Sequence, residues 1–204
     1  MAPFGSRTGS LLAILPLGAW TTLHLWNNLA AFRGAEPWQS AVTGQSHPLA
    51  LALTMLIVLG PLLIHAVWGI GRLLITKPNN LRYGFYANLK YALQRASAVG
   101  LLLFLGAHLW LALIKPRVLE GHAEPFAEIA HEMRFHTPTL VVYVLGVLAI
   151  AFHLANGVQT FSMGWGAVAS RRALQRLEIF VLAFFAALLA MGWGSIWALY
   201  QAGR

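Results

Sequence analysis

Residues 135–170 read FHTPTLVVYVLGVLAIAFHLANGVQTFSMGWGAVAS, 36 positions without an aspartate, glutamate, lysine or arginine. About 20 apolar residues wound as a helix cross the roughly 30 Å of hydrocarbon in a bilayer, so this stretch is long enough to span. Four more charge-free stretches cover 8–32, 37–71, 96–114 and 179–203, and the five together occupy 140 of the 204 residues. Charged residues make up 10% of the chain, against about a quarter in an ordinary soluble domain. The reading is an all-α, polytopic membrane protein. Residues 1–204 form a single transmembrane domain, and no large aqueous domain fits in what remains.

Inside lipid the backbone must satisfy its own hydrogen bonds, so spans of this length are helices. They are expected near 9–32, 50–75, 92–115, 138–162 and 177–201, a bundle of five. Pro48 and Pro138 open the second and fourth spans, and Pro78 and Pro116 follow the second and third. In the third loop Glu120, Glu124, Glu128 and Glu132 recur every four residues, a spacing that predicts a short surface helix. Trp38, Trp110, Trp165 and Trp197 fall near span ends, as an interfacial belt requires.

The chain has no cysteine and no aspartate, and a net charge of +8. A disulfide, a thiolate nucleophile, a cysteine-ligated iron–sulfur cluster and a CxxCH haem attachment are therefore excluded. The excess charge does not point to nucleic acid, because the basic residues sit between spans. Arg7, Arg72, Lys77, Arg82, Lys90, Arg95, Arg171, Arg172 and Arg176 fall on the amino-terminal side. Arg33, Lys115, Arg117, Arg134 and Arg204 fall on the other, with five of the six glutamates. The basic side is expected to be cytoplasmic, with the amino terminus inside and the carboxyl terminus outside. Arg7 before an apolar run resembles a signal peptide, but the run is too long and contains His24, Trp26 and two asparagines, so it is expected to be retained. Glu178, at the inner start of span five, is expected to pair with Arg171 or Arg172.

Eight histidines divide into two sets. His47, His122, His131 and His136 lie in outer loops, where solvated surface positions account for them. His24, His65, His108 and His153 fall one each in spans one to four. A single intramembrane histidine can be a helix-to-helix hydrogen bond, but four in four consecutive spans point to function. With the amino terminus inside, His24 and His108 lie toward the outside and His65 and His153 toward the cytoplasm. Seven residues separate His65 from Arg72 and His108 from Lys115, which puts each about 10 Å from its boundary. Two neutral imidazoles facing across a bundle are what a six-coordinate b-type haem requires, whereas structural zinc wants four protein ligands. One haem above the other makes an electron path across the bilayer. Gly18, Gly60, Gly69, Gly100, Gly106 and Gly157 lie within eight residues of these histidines and could admit a flat ring.

The first span reads Arg7-Thr-Gly-Ser10-Leu-Leu, then Pro16-Leu-Gly18, then His24-Leu-Trp-Asn-Asn. The fourth reads Phe152-His153-Leu-Ala-Asn-Gly157-Val-Gln-Thr-Phe161, then Gly164-Trp165-Gly166. With the four histidines these resemble the di-haem cytochrome b membrane anchor of succinate dehydrogenase and fumarate reductase, of the type with one large anchor subunit. The resemblance covers essentially the whole chain. It implies a subunit of succinate:quinone oxidoreductase in the bacterial cytoplasmic (inner) membrane, with a flavoprotein (FAD) and an iron–sulfur subunit on its cytoplasmic face. It implies two haems b, the proximal iron held by His65 and His153 and the distal by His24 and His108, and a quinone, menaquinone in anchors of this type. The dicarboxylate chemistry belongs to a partner chain, and no catalytic residue is assigned to this one. Family position puts Ser10 near the proximal propionates. Arg7, Lys90, Tyr91 and Arg95 border the same face and could neutralise propionates, although positive-inside topology also explains the basic ones. Glu36 and His47, in the first outer loop, could exchange protons with a distal quinone, or be solvated loop residues.

The anchor sequence does not fix the direction of turnover, so a fumarate reductase running in reverse stays open, as does a higher oligomer of the complex. Another di-haem anchor, of a hydrogenase or formate dehydrogenase, is the nearest alternative, though such partners commonly dock outside. A proton-coupled transporter should show repeat symmetry between its halves, and five spans offer none. A membrane anchor without haem is the remaining reading.

Overall fold

The computed structural model describes residues 4–44, 48–75 and 84–204. Among these residues eight α-helices follow one another: α1 (Phe4–Leu12), α2 (Ala19–Asn28), α3 (Ala35–Trp38), α4 (Pro48–Ile75), α5 (Tyr86–Leu109), α6 (Phe126–Phe135), α7 (Thr137–Gly164) and α8 (Arg171–Ala202). Four of the described helical segments are long and apolar enough to cross a membrane: Ala52–Ile75, Tyr86–Leu119, Thr137–Gly164 and Arg171–Ala202. Leu56, Leu74 and Ile179 are each at least 70% exposed, and an apolar surface of that kind suits lipid contact rather than water.

The expected first span is helical from Phe4 to Arg33, but in pieces. Pro16 lies in a wider π-type turn, Ala13–Gly18, between α1 and α2. The proline ring clashes with the carbonyl one turn back, and a wider turn accommodates it. Two further wide stretches are Gln39–Thr43 and Trp110–Leu119, the latter prolonging α5 and containing Pro116. Gly34 then turns the chain at φ +103°, a conformation open to glycine but strained for other residues.

Helix α7 is the centre of the bundle. It buries Thr139, Tyr143, Val147, Ala151, Leu154 and Ala155, largely an i, i+4 pattern, and packs on both α5 and α8. Helix α8 answers with Val181, Leu188, Ile196 and Leu199. Helix α4 stands further out, packing on α1 and the Ala13–Gly18 turn with only slight contact to α5.

The third loop differs from the expected surface helix. Helix α6 starts only after Pro125, so Glu128 and Glu132 lie on it and Glu120 and Glu124 precede it. Its other face, Phe126, Ile129, Ala130 and Met133, closes a small core with Trp38, Ala30, Ile196 and Leu199. Trp38 is 2% exposed and donates its Nε1–H to Asn28 Oδ1 at 3.1 Å, so it belongs to this core and not to an interfacial belt. Trp110, Trp165 and Trp197 are exposed, as a belt predicts.

Candidate metal centres between the helices

The four histidines of the first four expected spans come together as two facing pairs. His24 on α2 faces His108 on α5, ring centroids 5.9 Å apart and planes at 67°. His65 on α4 faces His153 on α7, centroids 6.2 Å apart and planes at 71°. The first pair lies toward the α6 end of the bundle and the second toward the opposite end. Gln94 touches His153, and His108 follows 14 residues later on α5, so the pairs are separated by about 20 Å along that helix.

Each pair spans two parts of the chain. The first hairpin, α1–α4, supplies His24 and His65, and the α5–α7 hairpin supplies His108 and His153. Helices α5 and α7 pack closely along their length, and a Cβ at Gly100 of α5 would stand only 3.5 Å from the Ala149 Cβ of α7. That contact fixes the depths of His108 and His153 relative to each other.

Neighbours orient three of the four rings. His65 Nδ1–H donates to the Gly9 carbonyl at 3.3 Å. Glycine is required there because a Cβ would meet the Trp68 ring at 2.9 Å. His153 Nδ1 lies 3.3 Å from the Gln94 carbonyl, while Gln94 Nε2 donates to the His153 carbonyl at 3.1 Å. His108 Nδ1 lies 3.2 Å from the Tyr143 hydroxyl and its ring stacks on Phe104. A carbonyl only accepts, so in His65 the proton sits on Nδ1 and Nε2 keeps its lone pair for a ligand, whereas His153 Nδ1 also has Gln94 Nε2 at 3.3 Å and the Ser97 hydroxyl at 3.4 Å. His24 differs. It stacks on Trp20 at 4.6 Å, and its Nε2 lies 3.4 Å from Asn28 Nδ2.

An imidazole nitrogen stands about 2 Å from a bound first-row metal, and the ring centre about 1 Å beyond it, so two rings on one metal have centroids about 6 Å apart. Both pairs have that spacing. Among the described residues no group of three or more metal-ligating side chains gathers anywhere. Two protein ligands do not complete a tetrahedral zinc site, but they are the complement that a haem, with its own four nitrogens, needs. The glycines divide evenly. A Cβ at Gly60, Gly69 or Gly106 would meet nothing within 4 Å, leaving room beside the histidines. Gly18, Gly100 and Gly157 instead serve helix contacts, with Leu154, Ala149 and Ile14.

The other predicted positions have defined surroundings. Ser10 accepts from Trp165 Nε1 at 3.2 Å. Lys90 donates to Gln159 Oε1 at 2.7 Å and pairs with Glu178 at 3.6 Å, so Glu178 meets Lys90 across the bundle and not the expected Arg171 or Arg172. Arg95 bonds the Tyr91 hydroxyl and donates to the carbonyls of Arg72 and Leu73, tying α5 to the end of α4. Glu36 is exposed on α3. His47, Lys77 and Arg82, and the side chain of Arg7, lie outside the described residues.

Sequence reasoning missed several polar residues at the site. Asn156 Nδ2 donates to Gln94 Oε1 at 2.8 Å, so the motif around His153 holds the side chain that holds His153. Gln159, 4% exposed, links Lys90 to Glu178. Glu124, read as a surface carboxylate, is 8% exposed. Burial pushes its carboxyl up to about 7, against the lowering pull of Arg117 and with a further push from Glu128. It lines a cavity of about 340 Å³ with Leu111, Lys115, Glu128, His131 and Glu132.

Residues 77–192 match the family model described as the succinate dehydrogenase/fumarate reductase transmembrane subunit. The chain is similar to the succinate dehydrogenase cytochrome b558 subunit of Bacillus subtilis (strain 168), 33% identical over 198 residues, which is 94% of each chain. No solved structure gives a significant match.

Proposed function

The chain belongs to the succinate dehydrogenase/fumarate reductase transmembrane subunit family, and on that premise we propose that it carries electrons across the membrane between partner subunits and a quinone. The observation that carries this reading is the two facing histidine pairs, 5.9 and 6.2 Å between ring centroids, each without a third protein ligand among the described residues. His65 with His153 would hold one haem b and His24 with His108 the other. Haem held by two histidines has no open position, so it supplies one-electron transfer and not oxygen binding.

Residues 1–204 are assigned to one transmembrane domain of five spans, the broken helix 4–33 being the first. The basic end is taken as cytoplasmic, where the flavoprotein and iron–sulfur subunits would dock. His65 and His153 then form the proximal centre. Ser10 adjoins Gly9, and Arg95 adjoins Gln94; together with Arg7, Lys90 and Tyr91 they are the proposed partners of the propionates at this end. Quinone chemistry, with menaquinone, is assigned to the outer end, where Glu36 is exposed for proton exchange and His47 shares the loop by sequence. The cavity lined by Leu111 and Glu124 opens one turn beyond His108. Succinate oxidation with quinone reduction is the proposed direction.

Pyridine haemochrome of the purified complex should give about two b haems per chain, one for each pair. His65→Ala and His153→Ala should remove one potentiometric component, and His24→Ala and His108→Ala the other. A complex without haem would refute the reading, and so would loss of a single common component from His24→Ala and His65→Ala.

A further inference from the structure

We propose that Tyr143 is the positioning residue of His108, and that its hydroxyl sets the potential of the outer centre apart from that of the inner one. The inference rests on the haem reading above. Tyr143 is 8% exposed, and its hydroxyl lies 3.2 Å from His108 Nδ1. Among the described residues that nitrogen is the hydroxyl's hydrogen-bond partner.

The surroundings hold both rings still. Phe104 stacks on His108 with centroids 5.3 Å apart and meets Tyr143 edge-on at the same distance, planes at 90°. Gly146, one turn after Tyr143 on α7, allows the Phe104 ring to come so close that a Cβ there would collide with it. The imidazole is therefore clamped between a phenyl face and a phenol, with little rotational freedom left.

The two centres differ in what orients the ring. At the inner one, His65 Nδ1 meets the Gly9 carbonyl, and His153 Nδ1 lies 3.3–3.4 Å from the Gln94 carbonyl, Gln94 Nε2 and the Ser97 hydroxyl. At the outer one, the Tyr143 hydroxyl is the single hydrogen-bond partner of His108 Nδ1 among the described residues. The arrangement is reciprocal between α5 and α7: α7 carries the hydroxyl that orients the α5 histidine, and α5 carries the groups that meet the α7 histidine. For Nε2 to ligate a metal, Nδ1 must hold the proton and the Tyr143 oxygen must accept it. An Nδ1–H···O bond makes the opposite nitrogen a stronger donor, which favours the ferric state and lowers the potential.

Tyr143→Phe keeps the ring and its contact with Phe104 while deleting the acceptor. Redox titration of the purified complex should show the outer component, identified as the one lost in His24→Ala, shifted upward and the inner one unmoved. A residue that only packs would leave both unmoved, and that result overturns the proposal. Movement of the inner component overturns it too. Should Tyr143→Phe fail to assemble, the natural sequence labelled with 3-fluorotyrosine, a poorer acceptor, supplies the test. The outer component should again rise, and an unshifted one refutes the role. A wild-type complex lacking b-type absorbance would refute the haem reading itself, before any variant is compared.

Discussion

Glu124→Gln should stabilise the protein at alkaline pH and do little in acid. Glu124 is 8% exposed, and its carboxyl titrates near 7 against 4.5 for the free group, chiefly because burial penalises its charge. The native state therefore holds this proton more tightly than the unfolded chain does. Stability is greatest below pH 4.5, falls as pH rises from there to 7, and is constant beyond. At about 1.4 kcal/mol per pH unit, the ionised carboxylate costs about 3 kcal/mol at pH 8. At pH 5, where only the unfolded chain ionises, the cost is about 1 kcal/mol. Glutamine has nearly the same shape and no charge, so it removes the difference. Thermal unfolding of the detergent-solubilised complex at pH 8 and pH 5, followed by helix circular dichroism, reads the effect. At about 2–4 °C per kcal/mol, the variant should melt roughly 6–12 °C higher at pH 8 and only a few degrees higher at pH 5. A gain that is equal at the two pH values, or absent at pH 8, would refute the burial argument.

Two substitutions test the packing around His24 and His108. Trp38→Ala empties a core that also holds Phe126 and Met133, and frees Asn28 from its indole partner. It should cost about 3–5 kcal/mol, seen as a lower melting temperature in the same assay. An unchanged melting temperature would mean that α6 does not dock there. Gly146→Val drives two methyls into Phe104 and should cost about 1–3 kcal/mol. Because Phe104 stacks on His108, the proposed haem at His24 and His108 should also lose occupancy, read as a haemochrome count falling toward one per chain.

Much of this fold is legible along the chain because two lengths are fixed: the rise of a helix and the thickness of a bilayer. Charge-free runs of sufficient length read as spans, four of which are candidate spans in the structure, and the position of each histidine within its run gives its expected depth. On that basis alone His24 groups with His108 and His65 with His153, and the rings do face each other in those pairs. The resemblance to the family is likewise carried by short motifs in spans one and four. The motif around His153 contains Asn156 and Gln159, but only packing gives their partners, Gln94 and Lys90.

Depth says nothing about rotation, and that is where the sequence stops. Trp38 sits at a span boundary by count, yet α6 folds over it and makes it core. Glu124 belongs to an acidic repeat that looks solvated, but Pro125 delays the helix and leaves this one carboxyl inside. Tyr143 and Gln94 are ordinary polar residues in the sequence, and only the contact of α5 with α7 brings their side chains to a histidine. The sequence by itself determined the number of apolar runs, the depths of the four histidines and the basic end. Tertiary structure decided which side chains orient those histidines and which carboxyl is buried. One-dimensional spacing fixes height along a helix, whereas the azimuth of a side chain depends on which neighbours the helix packs against.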